Sequence, residues 1–177
     1  MSLLKMLGLG RAQTPGGSGE SDTVRRIVDA LKTMNPERAR FVAAFAYILG
    51  RVAIADHDIS DAETTLMERI LMERGNLPEE QAIIVVQMAR SQNELFGGTE
   101  DFLVTREFGA LATYEQKLAL IDCLFAVSAV DGTITLAEEQ EIARTATELK
   151  VEHPDLVRSR VAYRDYLGVL RKDAPGA

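Results

Sequence analysis

Two short stretches carry the residue types best suited to chemistry. One is Asp56-His57-Asp58-Ile59-Ser60-Asp61-Ala62-Glu63; the other is Asp131-Gly132-Thr133-Ile134-Thr135-Leu136-Ala137-Glu138. Both read Asp-x-x-Ile-(Ser/Thr)-x-x-Glu, and they stand 75 positions apart, with Leu49/Leu124, Val52/Val127 and Ala62/Ala137 on the same offset. Carboxylates gathered in this way suit hard cations such as Ca²⁺, Mg²⁺ or Mn²⁺, and a nearby His57 admits Mn²⁺ or Zn²⁺. On that reading Asp56, Asp58, Glu63, Asp131 and Glu138 pool as metal ligands if the two loops lie close together.

The same residues have a plainer explanation. Ser60 with Glu63, and Thr135 with Glu138, match the S/T-x-x-E capping box, in which the hydroxyl accepts from one backbone amide and the Glu accepts from another. Their charge also suits the positive end of a helix. Asp56 and Asp131 fit less well, because each follows a helix C-terminus, where an acid costs roughly 0.3–1 kcal/mol. Asp nevertheless forms turns readily, by accepting from amides two residues on. On the residues alone, caps and turns account for the loops more economically than a metal does. The second loop is also in register with the later part of an EF-hand calcium loop. Its first two ligand positions would be Val127 and Ala129, and in the first loop Val52 and Ile54, so ordinary EF-hand binding is excluded.

Other chemistry finds little support. Cys123, among Leu120, Ile121, Leu124 and Phe125, reads as a small buried hydrophobe. The two histidines, His57 and His153, belong to no triad pattern, and no glycine-rich phosphate loop occurs. A two-metal hydrolase is disfavoured by the same shortage of histidine. Arg51 and Asp122 are charges inside apolar helical stretches, and either pair with one another or face solvent.

The elements that must position the two loops are helical throughout. Ser21 or Asp22 caps a first helix to about residue 34. Asn35-Pro36 opens a second over 37–55, with Phe41, Phe45, Ile48 and Val52 along one stripe. Ser60 caps a third, which Gly75 ends; Pro78 opens a fourth, which Gly97-Gly98 ends. Thr99 caps a short fifth helix to residue 111, and Thr113 with Gln116 boxes the sixth. Thr135 caps the seventh, and His153-Pro154 opens an eighth to about residue 172. The 75-residue repeat predicts an all-α bundle of about eight helices, built from two similar four-helix units (22–96 and 97–172) around an approximate two-fold axis.

Composition bounds the rest. The 177 residues carry a net charge of −7, which argues against a phosphate-backbone partner such as nucleic acid. That charge is uneven: residues 56–80 hold eight acids and two bases, residues 131–155 seven acids and two bases, and the first 55 residues eight bases and four acids. One cysteine leaves no intramolecular disulfide and no cysteine-rich zinc site. No apolar run reaches the ~18 residues of a membrane span, which points to a cytoplasmic protein. Residues 1–10 are an apolar tag with Leu3, Leu4, Met6, Leu7 and Leu9, joined through the Pro/Gly/Ser-rich residues 13–19. The tag reads as a frayed or self-docking terminus, or alternatively as a weak membrane or partner anchor. Residues 173–177 read as a disordered tail.

At the two acidic loops the chain resembles the TerB family, the tellurite-resistance-associated helical domain, to which a domain of membrane-anchored DnaJ-type co-chaperones is related. The resemblance covers residues 22–172. It implies a two-unit helical fold, a cytoplasmic stress-response or phage-defence setting, and a metal-chelating or protein-interacting role rather than an enzyme. Family acidic positions fall on Asp56, Glu63, Asp131 and Glu138. The chain departs from the pattern at His57, where its other copy has Gly132, so the first loop is expected to turn differently. The combined reading is a non-enzymatic adaptor that binds a divalent cation and a protein partner. The alternative is a purely protein-binding domain whose acidic loops are helix caps.

Overall fold

A computed structural model describes residues 21–57, 59–96 and 98–171. The readings of residues 1–20, Asp58, Gly97 and residues 173–177 lie outside those described.

One helix organises the others. α2 (Pro36–Ala53) is buried almost continuously from Val42 to Ala53. Asn35 starts it, its side chain accepting from the Glu37 and Arg38 amides, and Pro36 supplies a pre-set φ where no amide is needed. Its run of Ala43, Ala44, Ala46, Gly50 and Ala53 keeps the helix thin, so neighbours approach on every side. Gly50 is where this matters most: a Cβ there would stand 2.9 Å from Nδ2 of Asn93. That amide donates to the carbonyls of Tyr47 (3.1 Å) and Ala89 (2.9 Å), tying α2 to α4 (Glu79–Phe96).

Around α2 pack α1 (Asp22–Ala30), α3 (Asp61–Glu73), α4, α5 (Asp101–Leu111), α6 (Tyr114–Ala129) and α7 (Leu136–Glu148). α8 (His153–Ala162) lies against α6 and buries none of its own residues. Phe41, Phe45 and Phe108 form an aromatic cluster between α2 and α5, with ring centroids 5.1–6.2 Å apart. The expected all-α bundle is what forms. Among the described residues it has eight longer helices and a short ninth.

The boundaries depart from expectation in four places. α1 stops at Ala30, not near residue 34, because the chain tightens into i→i−3 turns at Leu31 and Met34. α2 ends at Ala53 and passes into a similar turn. Thr99 does not cap α5; instead Oδ2 of Asp101 accepts from the Gly98 amide at 2.8 Å. The eighth helix ends ten residues early. After Ala162 come a 3₁₀ turn (Arg164–Tyr166), a single parallel bridge between Leu167 and Ile134, and a short α9 (Gly168–Arg171). Burial of Leu167 drives this interruption, and Gly168 permits it: a Cβ there would stand 3.0 Å from the Ile134 carbonyl, which accepts from the Gly168 amide at 2.9 Å.

Candidate functional site

The acidic loops join α2 to α3 and α6 to α7, and their backbones follow one plan. In the first, Ala55 N donates to Val52 O at 3.0 Å and His57 N to Ile54 O at 2.8 Å. In the second, Val130 N donates to Val127 O at 3.2 Å and Gly132 N to Ala129 O at 3.0 Å. Each of these bonds recurs 75 positions on. His57 (φ 69°) and Gly132 (φ 101°) both lie in left-handed territory. The expectation of a different first turn is therefore corrected: His57 adopts the same hand as the glycine, at a steric cost that glycine avoids.

Both capping boxes are complete. Ser60 Oγ accepts from Glu63 N at 3.1 Å, and Glu63 Oε2 accepts from Ser60 N at 2.8 Å. Thr135 Oγ1 accepts from Glu138 N at 3.2 Å, and Glu138 Oε2 accepts from Thr135 N at 2.8 Å and from the Thr135 hydroxyl at 2.9 Å. Asp131 forms the turn anticipated for it, its Oδ1 accepting from the Thr133 amide at 3.2 Å.

Capping alone does not describe the electrostatics. Glu63 and Glu138 are each only 3% exposed. Burial pushes the Glu63 carboxyl up to about 7; the Ser60 hydrogen bonds pull it down, and the charges of Glu138 and Asp131 raise it further. Burial also raises Glu138, the Thr135 bonds oppose this, and the charge of Asp56 adds to the rise. Carboxylates of the two loops thus sense one another across the bundle. Asp56 is half-buried and Asp131 exposed. Among the described residues no group of three or more His, Cys, Asp or Glu is placed to hold a metal ion. The donor chemistry therefore fits a hard cation, while the spacing among the described residues is not that of a preformed cage.

A second charged cluster went unread in the sequence. Arg51, 3% exposed, reaches from α2 to α7, where its guanidinium donates to Glu141 and, through Nη1 and Nη2, to Glu148 at 2.8 and 3.2 Å. It also donates to Thr105 Oγ1 at 2.8 Å, and Asp101 stands 3.7 Å away. Asp101 in turn accepts from the Tyr47 hydroxyl at 2.8 Å. Asp122 takes no part and is exposed. Of the two alternatives, solvent exposure holds for Asp122, while Arg51 pairs with acids that sequence spacing did not single out. Only the oddity of an arginine inside an apolar helix hinted at this. Beside the cluster a cleft of about 560 Å³ opens between Asp101, Asn93, Glu141 and His57.

The remaining candidates are quiet. Cys123 is 2% exposed, and burial pushes its thiol up to about 11, so it stays protonated at neutral pH. His57 and His153 are exposed. Among the described residues no helix is long and apolar enough to cross a membrane.

A family model described as "Tellurite resistance protein TerB" matches residues 41–161. That span contains both acidic loops, the Arg51 cluster and most of the core. No curated protein and no solved structure matches the chain.

Proposed function

The chain belongs to the TerB family, and from that premise we propose that it is a non-catalytic cytoplasmic adaptor of a tellurite-resistance-type stress response, binding a divalent cation at its acidic loops. Asp56, Glu63, Asp131 and Glu138 are the assigned ligands, with Asp58 completing the set from outside the described residues. The carrying observation is the burial of Glu63 and Glu138, each 3% exposed, which sharpens the repulsion between the acids of the two loops. A cation beside them would offset it, and binding energy would come from that relief. Hard oxygen donors favour Ca²⁺, Mg²⁺ or Mn²⁺ over Zn²⁺. Among the described residues the spacing is not that of a preformed cage, so on this reading ion binding rearranges the loops. Calorimetric titration of each ion into metal-free protein tests this. Binding that disappears in Asp56→Asn/Asp131→Asn is expected; no binding at millimolar ion overturns the metal assignment.

A second reading is favoured by the two complete capping boxes, which already engage one oxygen of each buried Glu. On it the loops are structural, and their acidic surface docks a basic protein partner without metal. Salt-sensitive capture of a partner that EDTA leaves unchanged would distinguish it. Membrane association through residues 1–10 is a further element of the proposal, read from their apolar composition, and vesicle sedimentation with and without those residues measures it.

A further inference from the structure

On the opposite chemical footing from the acidic loops is a groove of about 450 Å³ between the start of α2, the end of α3 and the end of α5. Its floor is apolar, formed by Phe41, Phe45, Leu71 and Leu111. Phe41 is only partly buried, whereas Phe45 and Phe108 are 6% and 0% exposed, so Phe41 is the ring of the cluster most open to the groove. Its rim carries two cations, Arg38 and Arg74, against one anion, Glu37. Arg38 is steadied by donating through Nη2 to the Gly75 carbonyl at 2.9 Å, which fixes a guanidinium at the mouth. Both arginines are exposed, so their charge is available to a ligand.

A cationic rim over an aromatic floor selects by charge, favouring an anionic amphiphile. We propose that this groove binds a free medium-chain carboxylate, its alkyl chain on the phenylalanine floor and its carboxylate between Arg38 and Arg74. The size is that of small-molecule sites, which run about 300–1,000 Å³. Guanidinium forks match carboxylates in geometry as well as charge. The chain's own apolar residues 1–10 are a poorer occupant, because they include Lys5 and no acid and so meet a rim of like charge. The site is independent of the loops and of any metal there.

The test is titration of octanoate into the full chain, followed by amide ¹H–¹⁵N spectra. Saturable shifts at Phe41, Gly75 and Leu111 are expected, with octylammonium failing to compete. Arg38→Gln and Arg74→Gln alter exposed side chains and should each weaken octanoate about tenfold, the loss of one charge-assisted contact. Arg74→Lys keeps the charge and should retain most of the affinity. Equal binding of octylammonium, shifts confined to other surfaces, or no saturable shift at millimolar octanoate would each overturn the assignment. So would octanoate binding that emerges only after residues 1–20 are deleted, since the groove would then belong to the chain's own terminus.

Discussion

The charge of Glu138 raises the proton affinity of Glu63, 75 residues earlier, although each is 3% exposed and each closes a capping box of its own. A cap that served structure alone would be as well made by glutamine, which carries no charge to repel. The pair therefore makes stability depend on pH. In the folded chain the Glu63 carboxyl titrates at about 7, against an ordinary 4.5. Between those values the folded state holds a proton that the unfolded state has lost, so stability falls as pH rises through this window and levels off above it. The full span is about 3 kcal/mol for a shift of this size, at roughly 1.4 kcal/mol per unit. Urea midpoints measured from pH ~5.5 to ~8 should fall, and Glu63→Gln should flatten the slope. An unchanged slope in the variant would assign the pH dependence elsewhere. Glu148, whose carboxyl the Arg51 contacts hold low despite its burial, loses stability only below the ordinary carboxylate range and so stays outside this window.

Metal should reverse that trend. An ion that binds only the folded chain raises stability by mass action, and more so where its ligands are ionised. Millimolar Ca²⁺ or Mn²⁺ is therefore expected to raise the melting temperature at pH ~8 and to do little at pH ~5.5. Asp131→Asn should abolish the rise. A rise of equal size at both pH values would point to general ionic screening.

Removing the Arg51 side chain should be costly. Arg51→Met leaves Glu141, Glu148 and Asp101 facing one another, partly or fully buried, with one cation fewer. Breaking a buried pair from one side costs roughly 3–5 kcal/mol. Chemical denaturation should show a loss of that order, and Glu148→Gln a smaller one, because Glu141 still answers the guanidinium. A loss below ~1 kcal/mol for Arg51→Met, the scale of an exposed pair, would show that the cluster is solvent-screened.

The difference between what was legible and what was not follows from range. Ser60, Thr113, Thr135 and Asn35 act on amides within three residues, so their caps could be read from spacing alone, and all of them form. Asp101 could not be read in this way: its oxygens serve a local amide at Gly98 and the distant hydroxyl of Tyr47, and Thr99 looked the better cap. The end of α8 failed for the same reason, because Leu167 is drawn out of helix by Ile134, 33 residues earlier. The acidic loops were visible as a repeat, but their mutual repulsion depends on how α2, α3, α6 and α7 pack. The groove below Arg38 and Arg74 had no sequence signal, since its lining comes from separate helices.

The left-handed residues of the two loops give the sharpest comparison. His57 at φ 69° lies within the small left-handed region that L residues enter at a cost, whereas Gly132 at φ 101° lies beyond it. Placing a side chain in left-handed backbone costs roughly 1–2 kcal/mol, and glycine gives back about 0.5–1 kcal/mol through the freedom it gains when unfolded. His57→Gly should therefore stabilise the fold by about 0.5–1 kcal/mol, and Gly132→Ala should destabilise it by at least ~1 kcal/mol. Apart from its chain neighbours, nothing among the described residues lies within 4 Å of a Cβ built on Gly132, so that loss would come from the backbone. Equilibrium denaturation of both variants decides the matter. If His57→Gly is instead destabilising, the imidazole contributes an interaction that outweighs its backbone strain, and a retained histidine beside Asp56 would then favour Mn²⁺ among the ions to test first.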